Sequence, residues 1–169
     1  MVSAAPVTEA EIWQWLEEVP DPEVPVLSVV DLGIVREVSW QGGEAVVTVT
    51  PTYSGCPAMA VIARDIEGAL RAHGIAARTE MRLAPPWTTD WMSAKGKEAL
   101  RQFGIAPPGA SNAPPGAQAG GLVQIALPAA CPHCGASETE CVSAYGSTPC
   151  KALYRCLACR EPFDFFKPH

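Results

Sequence analysis

The sequence predicts an α/β (α+β) two-layer sandwich with a small mixed sheet, followed by a C-terminal module of the zinc-ribbon type. Three observations lead to this prediction. Of 169 residues, 48% are hydrophobic and 18% are charged, which is a globular composition. Six of the seven cysteines fall within residues 131–159. Between the cysteine-rich tail and the rest lies an uncharged segment, residues 107–121, in which proline, glycine and alanine predominate and which therefore predicts a linker. We expect domains at 1–106 and 122–169.

The first helix and the first hairpin have local signals. Thr8 and Glu11 have the spacing of a capping box, and apolar residues follow at helical intervals. The runs 32–40 and 44–51 have the residue types of strands, and Gln41-Gly42-Gly43 between them is typical of a hairpin turn.

A second helix and a third strand are predicted next. Pro57 suits a first helical turn, and a single apolar stripe follows at Met59, Ile62, Ile66 and Leu70. Residues 75–83 alternate, so we expect the side chains from Ile75 to Leu83 on one face to be packed and the other face to be wet. A last helix over about 93–102, capped by Asp90 or Ser93, completes a sandwich with its helices on one face.

Cys56 is the candidate reactive residue of this domain. It lies in Ser54-Gly55-Cys56-Pro57 at the predicted start of the second helix, where free amides and the helix dipole are expected to lower its pKa. Such a thiolate attacks electrophiles or binds soft metals. The alternative is a small buried apolar residue. Asp21 and Glu23 have a similar ambiguity, because carboxylates beside prolines suit both ligands and turns.

Trp87 and Trp91 lie in a proline-flanked loop and suggest either core packing or a partner surface. The domain has no glycine-rich phosphate loop, no G-x-S-x-G motif and no histidine beside a nucleophile. We therefore expect no catalytic site, and predict that the protein is not an enzyme.

The tail carries two C-x-x-C pairs, Cys131 with Cys134 and Cys156 with Cys159. Two such turns complete a tetrahedral site for a soft or borderline ion, and a module of this size needs such a staple to fold. Zinc is favoured, and iron remains the alternative because thiolates also hold iron centres.

Cys141 and Cys150 exceed a set of four ligands. Cys150 precedes Lys151, whose charge would favour a thiolate, so it is a possible additional reactive thiol; the alternative is a structural hairpin cysteine. Aromatic residues of the tail could stack on bases or form a core.

Charge and hydropathy exclude several functions. The net charge is -6, all of it in residues 1–106, while the tail is neutral, so little attraction for nucleic acid or anionic lipid is expected. No run of 18 apolar residues predicts a membrane span, and the acidic start does not resemble a secretory signal. We expect a cytoplasmic protein whose cysteines form no disulfide scaffold.

Four segments resemble the PaaD family, also called PaaJ, the small accessory subunits encoded with bacterial phenylacetyl-CoA 1,2-epoxidase. They are DPEVPVLSVVDLGIVREV (21–38), TPTYSGCPAM (50–59), PPWTTDWMSAKGKEALRQFGIAPP (85–108) and GSTPCKALYRCLACREPFDFFK (146–167). The Asp-Pro-Glu and Gly-Cys-Pro motifs alone resemble a wider family of iron–sulfur assembly factors. Where PaaD relatives often end in Lys-Cys, this chain reads Lys167-Pro168-His169, so a terminal thiol ligand is not expected.

The resemblance implies a non-catalytic maturation role in aerobic phenylacetate degradation. Cys56 would handle iron or a cluster with Asp21 and Glu23 as motif residues, and the four tail cysteines would match the ribbon of the family. The clients would be the di-iron oxygenase or the iron–sulfur reductase, and a homodimer could join two Cys56 thiolates at one cluster. The competing hypotheses are a structural or electron-transfer subunit with permanent iron, and a nucleic-acid-binding ribbon, which the charge disfavours.

Overall fold

A computed structural model describes residues 7–109 and 130–168. Most of the predicted linker and the first residues of the predicted tail domain lie outside the described residues. The chain divides into two compact units. The first takes in residues up to 87 together with 91–96, and the second takes in 88–90 and residues from 97 onward. In the described ranges, no helix is both long and apolar enough to cross a membrane.

The first unit begins with helix α1, Glu9–Leu16. Its capping box is present as predicted, because Thr8 Oγ1 accepts the Glu11 N–H at 3.3 Å and Glu11 Oε2 accepts the Thr8 N–H at 2.8 Å. Ile12 and Leu16 are fully buried on one side of the helix. This helix is therefore specified locally and then packed by its apolar stripe.

A three-stranded sheet follows, formed by β1 (Val35–Gln41), β2 (Glu44–Val49) and β3 (Ala77–Met81) in the order β1-β2-β3. The predicted β1–β2 hairpin is confirmed, and its turn glycines have φ angles of 58° and 86°. Both central residues thus have the positive φ that a type I′ turn requires. Helix α2, Met59–Ala72, connects β2 to the parallel strand β3.

The two faces of this sheet differ in how they are covered. The Thr79 hydroxyl donates to the Ala63 carbonyl of α2 at 3.5 Å, which places that helix on the face of the sheet from which the Thr79 side chain projects. On the other face Val46 and Thr48 are also buried, beside a layer of ion pairs that includes Arg78 with Glu80 at 2.6 Å. Long charged side chains cover apolar surface with their methylene stems, so this face is polar on the outside without being open.

The expectation that Met81 and Leu83 are packed was wrong. Both are more than half exposed, at 57% and 56%. The reason is that β3 is an edge strand, which pairs with β2 on one side only among the described residues. Alternating apolar and polar residues indicate that a strand has two different faces. They do not indicate whether another element covers the apolar face along the whole strand.

Helix α3, Ala94–Gln102, follows a short 3-10 turn at Thr89–Trp91. Ser93 caps it by accepting the Gly96 N–H at 2.8 Å, as one of the two predicted capping residues. The second unit then forms a four-stranded sheet from β4 (Ile105–Ala106), β5 (Thr139–Ser143), β6 (Lys151–Cys156) and β7 (Pro162–Phe166).

The strand order in this second sheet is β4-β7-β6-β5. The pairs β5–β6 and β6–β7 are antiparallel, and β4 is parallel to β7. Residues 105 and 106, which the linker position assigned to the first domain, pair instead with β7 in the tail. The core packs Tyr154 against Phe163 and Phe165, with Cys131 and Cys156 in the same buried cluster.

Candidate metal and thiol sites

The second unit brings together the four predicted metal ligands. The sulfur atoms of Cys131, Cys134, Cys156 and Cys159 all lie within 4.8 Å of one another. Cys131 and Cys159 are 3.7 Å apart, and Cys134 and Cys156 are 3.6 Å apart. No other group of three or more potential ligands is found in the residues that the structure describes.

Two turns with the same backbone pattern hold these cysteines. In the first knuckle, residues 131–135, the Gly135 N–H donates to the Cys131 carbonyl at 2.8 Å. In the second knuckle, residues 156–160, the Arg160 N–H donates to the Cys156 carbonyl at 3.0 Å. The C-x-x-C spacing thus places two sulfurs on one side of each turn, and the β6–β7 hairpin holds the second turn in place.

The distances fit a tetrahedral ion. With metal–sulfur bonds of about 2.3 Å, the sulfur atoms of such a site lie about 3.8 Å apart. The two measured separations are close to that value. Thiolates are ligands of choice for zinc and for iron, so the donor set and the spacing fit a bound metal of either kind. Bound there, the ion would crosslink the two knuckles.

The thiols of this cluster titrate unequally. The Cys159 backbone N–H donates to Cys156 Sγ at 3.4 Å and is the main reason that the pKa of Cys156 falls to about 7. For Cys159 the backbone N–H of Glu161 acts in the same direction, but burial and the neighbouring thiols outweigh it and raise the pKa of Cys159. Several closely spaced thiols cannot all lose their protons without strong repulsion between the resulting negative charges. A bound cation would offset this repulsion.

A shallow cavity of about 380 Å³ lies beside the first knuckle. Pro132, His133 and Cys134 line it together with Arg101. Arg101 already donates to Glu98 at 2.5 and 2.9 Å, so its charge is committed within α3. Of the described residues that line the cavity, Cys134 therefore presents an exposed sulfur, whereas Arg101 is already paired with Glu98.

Cys56 lies in the first unit, in the turn between β2 and α2. It is half-buried, and its N–H donates to the Tyr53 carbonyl at 3.1 Å. The Ala58 N–H and the Thr52 side chain both form hydrogen bonds with the sulfur that favour the thiolate. The sequence analysis did not predict Thr52 as a partner of Cys56. The signal that could have found it is the T-x-x-x-C spacing, which brings the two side chains together if residues 52–56 form a turn.

The pKa predicted for Cys56 was wrong in direction. Helix α2 begins at Met59, so Cys56 and Pro57 precede the helix. Burial is the largest influence and raises the pKa of Cys56 from its ordinary value, and the charges of Glu23 and Asp21 raise it further. The two hydrogen bonds oppose this shift without reversing it. The resting thiol is therefore protonated at neutral pH.

Asp21 and Glu23 lie close enough to affect this thiol electrostatically. Asp21 is buried, and its Oδ1 accepts the N–H groups of Glu23 at 2.9 Å and Val24 at 2.7 Å. Asp21 thus stabilises a turn in the manner typical of Asx residues, and this turn carries Glu23. The turn interpretation of the Asp-Pro-Glu motif is thus confirmed, whereas a role of Asp21 and Glu23 as ligands stays a prediction.

The structure separates the two tryptophans that were considered for a partner surface. Trp87 is buried, with 4% of its surface exposed, and donates to the Leu32 carbonyl at 3.1 Å. It therefore packs in the core and leaves little surface for a partner. Trp91 is half-buried beneath the Arg36 guanidinium, whose carbon lies 3.6 Å from the ring centroid.

Cys150 and Cys141 lie outside the four-sulfur cluster. Cys150 is buried beside Thr148, whose hydroxyl is 3.0 Å from the sulfur. Strand β6 separates it from Cys156 by about 20 Å along the chain, at about 3.3 Å per residue. The neighbouring ammonium of Lys151 is committed to Asp164 at 3.1 Å. Cys141 is exposed on β5, opposite Tyr154.

Asp31 is a buried carboxylate that the sequence analysis did not single out. Its two oxygens accept from Ser93 at 2.6 Å and from Ser28 at 3.0 Å, and Lys95 lies 3.5 Å away. Its contacts connect the loop before β1 to the start of α3. Asp31 stands out only as a charged residue between apolar neighbours, which is a weak signal for burial.

Two domain families match the chain. Residues 9–80 match the iron–sulfur cluster assembly protein family, and residues 117–167 match the PaaD zinc beta ribbon domain. The crystal structure of a DUF59 domain of unknown function from Bacillus anthracis is 32% identical, with a TM-score of 0.51 over 54% of this chain and 90% of that one. The α+β fold and the C-terminal zinc ribbon domain are thus confirmed.

Two curated relatives span different shares of the sequence. The "Fe-S protein maturation auxiliary factor YitW" of Bacillus subtilis is 39% identical over 50% of this chain and 85% of its own length. A protein of Escherichia coli K12, named as one subunit of a "Putative 1,2-phenylacetyl-CoA epoxidase", is 44% identical over 99% of this chain and 97% of its own length. With a relative this similar over nearly the whole sequence, and a matching ribbon, the chain belongs to the PaaD family.

Proposed function

We propose that this protein is a non-catalytic accessory factor that assists assembly or repair of the iron-containing centres of phenylacetyl-CoA epoxidase. The resemblance of the whole chain to an epoxidase subunit supports the system that is served. The resemblance of the first unit to iron–sulfur maturation factors supports the task.

The observation that carries the proposal is the environment of Cys56. A single thiol is held by the Ala58 amide and the Thr52 hydroxyl and has carboxylates nearby. Sulfur is a soft ligand that binds iron, while one protein ligand leaves the cargo free to exchange. The negative charges of Glu23 and Asp21 attract a cation toward this thiol. Such a site suits transient iron or a cluster, with Cys56, Asp21 and Glu23 as the residues involved.

We assign a different task to the four tail cysteines. Their closed, preformed arrangement suits a resident zinc ion that stabilises the ribbon. The ribbon then presents a folded surface to the client. The clients would be the oxygenase with its di-iron centre or the reductase with its iron–sulfur cluster. A homodimer would place two Cys56 thiols at one cargo.

The decisive test replaces Cys56 with serine in cells that produce the epoxidase. Cys56→Ser should leave fold and tail metal unchanged but reduce the iron content and activity of the purified epoxidase by at least about tenfold. Cys141→Ser is the matched control, because Cys141 is a free thiol outside both sites. Full iron content and activity of the epoxidase with Cys56→Ser would overturn the proposal.

A second candidate function rests on the same four tail cysteines. Four thiolates also hold a permanent iron centre, and the exposed Cys134 would bring such a centre to the surface. The protein would then be an electron-transfer or structural subunit of the oxygenase. Metal and acid-labile sulfide analysis of protein purified without oxygen separates the two. Colourless protein with one zinc supports maturation, whereas iron lost on Cys156→Ser supports electron transfer.

A further inference from the structure

Strand β3 lies at one edge of the first sheet, where a further strand could be added. Among the described residues it pairs with β2 on one side and with no strand on the other. The Arg82 N–H donates to the Val49 carbonyl at 2.8 Å, which turns the backbone groups of even-numbered residues toward β2. The backbone groups of the odd-numbered residues, among them Thr79 and Met81, therefore point to the outer edge.

This outer edge is closed at one end and open at the other. Glu67 of α2 accepts the Thr79 N–H at 2.9 Å and so occupies a donor that an added strand would need. No side chain of the described residues does the same for Met81, whose own side chain is 57% exposed. Leu83 is exposed to a similar degree, at 56%. Residues 81–83 are therefore the open end of the strand.

The opposite face of β3 carries charges of alternating sign. Glu80 pairs with Arg78 at 2.6 Å, and Arg82 pairs with Glu37 at 3.1 Å. The side chains of Glu80 and Arg82 are each still 51% exposed, so both can form a further ion pair. Opposite charges that face each other across two antiparallel strands stabilise the pair, and like charges destabilise it.

These features select one register for the pairing of two β3 strands. When two identical strands pair antiparallel about a two-fold axis, one residue lies opposite its own copy. Thr79 is excluded from this position because Glu67 already accepts its N–H. Glu80 and Arg82 are excluded because like charges would face each other. Met81 remains, and in that register Glu80 of each chain lies opposite Arg82 of the other.

We propose that the open end of β3 is a docking surface for a second copy of this chain. The Met81 N–H of each copy donates to the Met81 carbonyl of the other, and the two three-stranded sheets become one continuous sheet. Glu80 and Arg82 form two symmetric ion pairs across the interface on one face, and the exposed side chains of Met81 and Leu83 become covered on the other. Pairing of the two copies does not depend on the proposed function, because no client takes part in it.

The test measures self-association of the full chain by sedimentation velocity, under reducing conditions that prevent dimers linked by disulfides. The wild type should form a dimer whose fraction rises with concentration. Glu80→Arg and Arg82→Glu each place like charges opposite each other at two positions of the dimer. Each change should therefore raise the dissociation constant at least about tenfold.

Combining the two charge changes gives the sharper result. The double variant Glu80→Arg/Arg82→Glu should dimerise as the wild type does, because residues 80 and 82 again have opposite charges across the interface. An equimolar mixture of the two single variants should form a heterodimer for the same reason, which native mass spectrometry detects. Arg155→Glu is the matched control, since it makes the same change in net charge at an arginine of similar exposure, 53%, in the second unit. It should leave self-association unchanged.

Met81→Pro tests the contribution of the backbone. Because the Met81 N–H points away from β2, proline at this position keeps the pairing of β2 with β3 and removes the donor at the outer edge. This variant should be monomeric, with a thermal midpoint close to that of the wild type.

Three results would overturn the inference. The wild type could remain monomeric throughout the concentration series. A dimer could form with the same dissociation constant in both single charge variants, which would assign self-association to another surface. The two single variants, folded and each monomeric, could fail to form a heterodimer when mixed.

Discussion

The cysteines of the two units have opposite environments. The four sulfurs of the second unit lie within 4.8 Å of one another, in two turns of the same geometry, and one of them has a pKa lowered to about 7. Cys56 of the first unit is a single half-buried thiol whose pKa is raised by burial and by carboxylates. The first arrangement has the spacing of a metal site, whereas burial and nearby charges favour the protonated thiol in the second.

In the proposed function, this difference lets one chain hold one metal and hand over another. Retention of a metal ion requires several thiolates that are held in place before the ion binds. The bound cation then offsets the repulsion between their negative charges. Exchange requires few protein ligands and a resting state that is not reactive. A protonated thiol also resists oxidation, because oxidants react with the thiolate.

The largest expected effect comes from breaking the four-sulfur cluster. Cys156→Ser removes a fully buried ligand. Because a structural metal contributes on the order of 10 kcal/mol to folding of such a module, the ribbon should lose both its metal and its fold. Metal analysis and limited proteolysis of the purified variant measure this.

Cys141→Ser, at an exposed position outside the cluster, serves as the control and should keep the metal. All five tryptophans lie in the first unit, so their fluorescence should report an unchanged first unit in both variants. Stoichiometric metal in Cys156→Ser would contradict the assignment of ligands.

An intermediate effect is expected at the turn that carries Glu23. Asp21→Ala removes the acceptor of two N–H groups, at 2.7 and 2.9 Å, in a buried position. Leaving them unsatisfied should lower the free energy of unfolding of the first unit by about 2 kcal/mol. Urea unfolding followed by tryptophan fluorescence measures it.

Asp21→Asn is the matched variant, since it keeps an acceptor oxygen and removes the charge. It should therefore be more stable than the alanine variant, and the pKa of Cys56 should fall because a negative charge is lost. Equal stability of the two variants would mean that the hydrogen bonds of Asp21 do not hold this turn.

The smallest expected effect concerns the protonation of Cys56. Glu23 is the carboxylate that raises the pKa of Cys56 most, so Glu23→Gln should lower this pKa and speed alkylation at pH 8 severalfold. Site-resolved mass spectrometry after treatment with iodoacetamide, across a pH series, measures the profile. Glu18→Gln is the control, because Glu18 is exposed and has no part in the shift.

The direction of this pKa shift also has a consequence for stability. A thiol with a raised pKa favours the folded state while it is protonated, so this contribution is present below pH 9.0 and is lost as the pH rises through the folded pKa. An alkylation profile of Cys56 that lies at lower pH than that of an ordinary thiol would contradict the raised pKa.

Short-range patterns predicted the parts of this molecule that depend on neighbours in sequence. The capping box of Thr8 and Glu11 formed as expected, as did the glycine turn of the hairpin. The two C-x-x-C pairs also indicated their common site, because a spacing of three residues already places two sulfurs on one side of a turn. Such patterns specify local geometry, which depends on only a few neighbouring residues.

Other features depended on residues far away in sequence. The pKa of Cys56 is set by burial and by carboxylates more than 30 residues earlier, and these reversed the direction that its position near a helix start suggested. Trp87 proved to be a core residue because its indole reaches the Leu32 carbonyl. Burial and electrostatics are sums over neighbours in space, which sequence spacing does not reveal.

The sequence by itself indicated the family and the α+β fold with its C-terminal ribbon, and it paired the tail cysteines in two turns; the roles of the tail cysteines as ligands and of Cys56 stay predictions. Only the tertiary structure decided that burial, together with Glu23 and Asp21, keeps the Cys56 thiol protonated and that residues 105 and 106 join the second sheet. It also left the side chains of Met81 and Leu83 exposed. The physical reason is that ligand spacing and turns follow from covalent connectivity, whereas charge, burial and exposed surface arise only when distant segments meet.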